Sequence, residues 1–154
     1  MRLFYWIAIV EYELAAFLKD MVPVPWTKIA LYAESNGYTE EIFYAVHEEM
    51  TNLVVTMDTI DERYEQDFDD SFASKNIHKY VSELRSPYEN DPSQTAWREF
   101  VCVVEKNGEY KFDYFFPDMG KYNFLSREDF IMKYFDSEYY CVRGRYPSAD
   151  RIIH

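Results

Sequence analysis

The chain has 154 residues, 48% of them hydrophobic and 29% charged, the composition of one folded domain with a sizeable core and not of a disordered segment. Its formal charge of -12 excludes nucleic acid as a direct ligand, because phosphates would be repelled, and favours a basic protein partner. Four glycines are too few for a phosphate-cradling loop, whereas 15 Tyr and 12 Phe supply a ring-rich core and rings for a surface besides.

The amino-terminal stretch MRLFYWIAIVEYELAAF is apolar, but Glu11 and Glu13 interrupt it and no small-residue cleavage site follows. It is too short and too charged to span a bilayer. Ile7, Val10, Leu14, Phe17 and Met21 recur at threes and fours, which predicts an amphipathic helix facing the core of a cytoplasmic protein that makes no membrane contact. Val22-Pro23-Val24-Pro25 ends it, since each proline biases its predecessor away from helix. From Trp26 the period becomes 2: Ile29, Leu31 and Ala33 alternate with Lys28, Ala30, Tyr32 and Glu34, a strand. Residues 35–39 supply a turn, 41–47 a second strand and 51–57 a third. A helix over 72–86 follows, with Ile77, Tyr80, Val81 and Leu84 on one face, ended by Ser86-Pro87 and Asp91-Pro92. Residues 97–105 and 109–116 form a hairpin about Lys106-Asn107-Gly108, because Asn-Gly accepts the positive φ of tight turns. Ser126 and Asp129 resemble a capping box opening a last helix through about Phe135 or Ser137. The order is about α-βββ-α-ββ-α, an α+β fold with an antiparallel sheet packed with helices, in a single domain over 1–154.

Catalytic and metal signatures are sparse. His47, His78 and His154 are scattered and join no nucleophile motif, and Cys102 and Cys141 have no metal or redox spacing. Cys102 sits in an apolar run and reads as a small buried hydrophobe. Glu65, Asp67, Asp69 and Ser71 alternate as in a calcium loop, but the turn glycine is absent and Asn76 stands where the closing Glu belongs. No metal and no cofactor are expected, and the chain reads as a non-enzyme. A carboxylate pair in a pocket would still be invisible to spacing, which leaves a small enzyme as an alternative.

The acids are concentrated in one place. Residues 58–70 hold seven acids against one base, a net of -6 that is half of the whole chain's -12. Asp69 and Asp70 suit the start of a helix near Phe72, but a helix start needs one or two acids, not seven. Tyr64, Phe68 and Phe72 are interleaved with the acids and would anchor the segment. Asp58, Asp61, Glu62, Tyr64, Glu65, Asp67, Phe68, Asp69 and Asp70 are therefore candidates for a partner surface, with a solvated face as the competing reading. Asp113, Asp118 and Tyr122, near Tyr114, form a second candidate group, although Tyr110, Phe112, Tyr114 and Phe116 alternate onto one side and put Tyr114 in the core.

The stretch DMVPVPWTKIALYAE, residues 20–34, resembles the signature of the YezG-like immunity protein family: a first helix ending in Asp-Met-hydrophobic-Pro, then Trp, Lys and a strand ending Leu-Tyr-Ala-Glu. Asp20, Met21, Pro23, Trp26, Lys28, Leu31, Tyr32, Ala33 and Glu34 stand in those places. Trp97 with FVCVVEKNGEYKFDYFF, and FIMKYF over 130–135, are similar to the family's later strands and final helix. The likeness spans about residues 10–135, departs from the pattern in HEEMTNL between strands, and leaves a tail over 141–154 unplaced. It implies a binding protein, the protective half of a bacterial toxin–immunity pair, whose partner is a secreted polymorphic toxin with a carboxy-terminal nuclease domain. A nuclease cleft is basic, so an acidic, aromatic-anchored surface would suit it as cognate toxin. An adaptor for another basic protein is the other alternative. The aromatic excess is compatible with a homodimer and equally with an unoccupied toxin-binding face.

Overall fold

The structure, a computed structural model, describes residues 2–63, 69–117 and 127–135. Helix α1 (Arg2–Met21) leads into β1 (Trp26–Ser35), β2 (Glu40–Glu48) and the short β3 (Val54–Thr56). Then come α2 (Met57–Arg63), α3 (Asp70–Glu89), the hairpin β4 (Glu99–Glu105) and β5 (Tyr110–Phe115), and α4 (Arg127–Phe135). All four strand pairings are antiparallel and the order across the sheet is β3-β2-β1-β4-β5, so the fold is α+β as the periodicity predicts. The turns form where glycine permits them. Gly37 and Gly108 have φ of +93 and +94, and the Asn36 side chain accepts from the amides of Tyr38 and Thr39 at 2.8 and 2.9 Å.

The alternation along β1 sorts two cores. Ile29, Leu31 and Ala33, with Tyr44, Val46, Phe100 and Cys102 from neighbouring strands, pack under α1, α2 and α3. Burial raises the Cys102 thiol well above its ordinary value, so it is inert filling, as its apolar context suggests. Ala30, Phe43, Ala45, Val101 and Val103 form the opposite face, covered by Phe130, Ile131 and Phe135 of α4. Tyr114 is half-buried against the first core and donates to Glu11 Oε2 at 2.7 Å.

Three boundaries differ from the expected ones. The third strand is trimmed to three residues, because the chain turns into α2 at Met57, a helix not expected inside the acidic stretch. Ile60 and Thr59 are buried there while Asp58 and Glu62 face water, so a two-turn amphipathic pattern lay hidden among the charges. Helix α3 does not stop at Ser86-Pro87 but runs through Pro87 to Glu89. Proline withholds the amide that would reach the carbonyl four residues back, and the Trp6 indole donates to that Glu83 carbonyl instead, at 3.4 Å. Ser126, half of the expected capping box, lies outside the described residues.

Trp97 locks the hairpin to α3. Its side chain is 0% exposed, its indole N–H donates to the Leu84 carbonyl at 3.2 Å, and its ring meets Phe100 edge-on at 5.1 Å. Trp97→Ala is expected to lower unfolding free energy by about 3–5 kcal/mol in urea titration, with Trp97→Phe closer to wild type because only the hydrogen bond and part of the packing are lost.

Candidate functional site

The acidic stretch folds as two helix pieces meeting at one corner. On α2, Asp58, Asp61 and Glu62 are spaced three and four apart, which puts them on one face, outward, because Thr59 and Ile60 occupy the inward one. Asp69 caps α3: its backbone is extended and its carboxylate accepts from the Phe72 amide at 3.0 Å. Asp70 lies in the first turn, where an acid faces the positive end of the helix. Thus the helix-start reading holds for Asp69 and Asp70, but it accounts for two acids of the seven.

The fold brings Asp58, Asp61 and Asp69 near Asp70. Burial, then the negative charges of Asp61, Asp58 and Asp69, hold the Asp70 carboxyl above its ordinary value. The same corner reaches into the sheet. Burial raises the Tyr44 hydroxyl far above its usual range, and Asp70, Asp61 and Asp58 add to that shift. Tyr44 is 2% exposed and its hydroxyl has no hydrogen-bond partner among the described residues, so a polar atom sits sealed beneath the acids. Phe72, 59% exposed, projects at the same helix start and leans on Phe17 with ring centroids 6.1 Å apart. An Arg127 guanidinium nitrogen from α4 lies 3.4 Å from Asp58, and its guanidinium stands 4.5 Å above the Phe43 ring.

Of the expected site residues, Asp58, Asp61, Asp69 and Asp70 therefore converge and Glu62 lies exposed beside Asp61 on α2, whereas Tyr64, Glu65, Asp67 and Phe68 lie outside the described residues. The second group does not join them. Asp113 is on β5, on the α4 face of the sheet, 3.7 Å from Lys111 and beside a cleft of about 670 Å³ that Lys28 and Lys133 also line. Asp118 and Tyr122 lie outside the described residues. The sequence reading missed Tyr44 and Arg127, which are distant in the chain and reach the corner through strand order and helix placement. Both histidines among the described residues are engaged. His47 contacts Thr27 Oγ1 and, at 2.8 Å, Asn52 Oδ1, and His78 meets Glu40 at 2.8 Å. Among the described residues no group of three His, Cys, Asp or Glu is placed to hold a metal, and no helix is long and apolar enough to cross a membrane.

Asp70 titrates higher folded than unfolded, so folding takes up protons there and the contribution of this group favours the fold as the pH falls. The penalty is fully present at neutral pH and is relieved as the carboxyl protonates. Asp70→Asn is expected to raise Tm at pH 7, with the gain shrinking as the pH enters the carboxylate range, measured by thermal scans at stepped pH. Asp69→Asn keeps the cap acceptor and should be nearly silent in those scans, while Asp69→Ala should cost about 0.5–2 kcal/mol.

The family described as Immunity protein YezG-like matches residues 9–140. Immunity protein YezG of Bacillus subtilis (strain 168) is 25% identical over 104 residues, which cover 66% of this chain and 68% of that protein. With a match over most of its length, the chain belongs to the YezG-like immunity protein family.

Proposed function

We propose that this chain neutralises a cognate toxin with a basic nuclease domain, and that the corner formed by Asp58, Asp61, Glu62, Asp69 and Asp70 covers the toxin's substrate-binding surface. An immunity role follows from the family. The toxin's chemistry and the contact surface are the proposal. The observation that supports them is the convergence of aspartates that repel one another, with Asp70 held above its ordinary value by burial and by its neighbours. Such an arrangement works against folding, and one cation-rich partner would relieve all of it at once.

The physics suits an inhibitor that must act quickly. A cleft that binds phosphate is basic, and fixed carboxylates can occupy the same field. Steering by complementary charge raises association rates toward ~10⁸–10⁹ M⁻¹s⁻¹ at low salt. Charge governs arrival more than retention, so desolvated contacts have to hold the complex, and the exposed Phe72 ring stands at the edge of the acids to supply one. Tyr64 and Phe68 extend this expectation along the same segment. The protein binds the toxin and catalyses nothing in this scheme.

A survival assay tests it. The carboxy-terminal region of the reading frame beside this one is induced in a naive bacterium, and survivors are counted with and without this protein. Specific rescue is expected, along with nuclease activity in the toxin. Asp58→Lys, Asp61→Lys and Asp70→Lys together should abolish rescue and slow association at least ~tenfold at low salt, with a smaller difference at high salt. Full rescue by that variant would remove this corner from the contact surface.

A further inference from the structure

Helix α1 is apolar on the side that faces away from the protein as well as on the side that faces the core. Its inward stripe is Ile7, Val10, Leu14 and Leu18, all buried. At ~3.6 residues per turn, the positions directly opposite are Tyr5, Ala8, Ile9 and Tyr12, and all four are exposed. A surface helix ordinarily carries its charges on that side. Phe4 flanks the stripe, and Phe4, Tyr5 and Tyr12 are 70%, 73% and 63% exposed. Five of the ten large apolar side chains exposed among the described residues fall between Phe4 and Tyr12, so the rings are gathered in one patch. The charges of this stretch are set aside from it. Glu11 leans toward the sheet, where its Oε2 accepts from the Tyr114 hydroxyl at 2.7 Å, and Glu13 lies on the flank of the stripe. Tyr110 on the edge strand β5 is exposed beside the patch, near enough for Tyr12 to act on its ionisation.

We propose that this face is the contact between two copies of the chain, with α1 lying antiparallel on the partner's α1 across a two-fold axis. Three observations select a second copy. The first is self-complementarity. With the axis between Ala8 and Ile9, Tyr5 meets the partner's Tyr12 and Ala8 meets the partner's Ile9, so ring faces ring and small faces bulky. Alanine at the centre lets the helices approach to the ~8–10 Å of packed pairs.

The second observation is area. At ~150–250 Å² for each aromatic side chain, the face presents roughly 500 Å² on one copy. Two copies then bury about 1,000 Å², the size at which specific interfaces begin. The third is charge. The centre of the face carries no carboxylate, so a basic protein has no electrostatic reason to choose it. A helix that lies on a membrane flanks its apolar face with Lys and Arg, whereas Glu11 and Glu13 stand here on a chain of charge -12. Repulsion between two acidic copies is weak at this place. Phe17, which touches Phe72 at the acidic corner, is ~14 Å along the helix from Ala8. That exceeds the ~8 Å screening length at physiological salt. The acidic corner therefore stays open in the dimer, and the dimer does not depend on the function proposed above.

Sedimentation velocity on the full chain over a ~hundredfold range of concentration tests the contact. The mass is expected to rise from 18.6 kDa toward twice that value. The dimer should tighten as salt is added, because salt screens the repulsion and leaves apolar contact intact, whereas charge-steered toxin association responds the opposite way. Ala8→Glu sets two like charges at the axis and should weaken the dimer at least ~tenfold. Glutamate is nearly as good a helix former as alanine, so the Tm of this variant at monomeric dilution should match wild type. Tyr5→Gln with Tyr12→Gln, which adds no charge, should weaken the dimer as well. A monomer at every concentration and salt, or a dimer that both variants leave unchanged, would overturn the proposal. So would a monomeric chain that sediments with phosphatidylcholine–phosphatidylglycerol vesicles unless it carries Ala8→Glu, which would give the face to a membrane. A monomeric chain that loses rescue through Ala8→Glu would give it to the toxin and overturn the proposal equally. Failure of wild type to rescue strikes the toxin pairing and leaves the dimer standing.

Discussion

The register of β1 is the constraint on which everything else depends. This strand lies between β2 and β4 and is paired to both along nearly its whole length. A slip of one residue would carry Ile29, Leu31 and Ala33 out of the main core and bring Lys28, Tyr32 and Glu34 into it. Burying those charges unpaired would cost several kcal/mol each, so the alternative is closed. The same register decides where β2 and β4 deliver their own ends. It puts Phe43 under α4, Tyr44 beneath the acidic corner and Glu41 across from Glu34. Positions that shape the surface are thereby consequences of packing in the centre.

Two helices then turn a charged segment into a directed one. Left extended, residues 58–70 would spread their charge and screen it with salt within about 10 Å. As α2 and the start of α3, the segment places Asp58, Asp61 and Asp69 close enough to raise the Asp70 carboxyl, over a sheet whose buried Tyr44 hydroxyl has no hydrogen-bond partner among the described residues. Each feature works against the fold, and the fold can carry them because its stability comes from elsewhere. Trp97, Phe100, Leu14 and Ile77 sit in a core shared by α1, α3 and the sheet. Apart from Asp69, whose carboxylate caps α3, stability and the candidate site are thus drawn from different residues.

Much of this was legible in the chain. The periods of 3.6 and 2, the Asn-Gly turn and the proline stops gave the α+β class and nearly every element, because each reflects local chemistry. The run of acids pointed to the corner for the same reason. What escaped reading depends on distant partners. Helix α2 was masked because Thr59 and Ile60, its inward residues, are outnumbered by acids. Pro87 stops a helix in isolation, but here the Trp6 indole, eighty-one residues upstream, takes over the freed carbonyl. The alignment of Glu41, Glu34 and Glu99 on adjacent strands could not be seen at all, since no spacing within one strand discloses which residue of the next strand stands opposite.

Net charge by itself discriminates poorly, and that bears on how an immunity protein can be selective. A chain of charge -12 draws in any basic protein, including the many that bind nucleic acid. Steering accelerates each of these encounters alike, so in the proposed complex the acidic corner would set how fast a partner arrives and not which one stays. Selectivity requires a feature that a wrong partner leaves unsatisfied. In the proposed complex the exposed aspartates would therefore recruit, and desolvated contacts such as the exposed Phe72 ring would hold the partner.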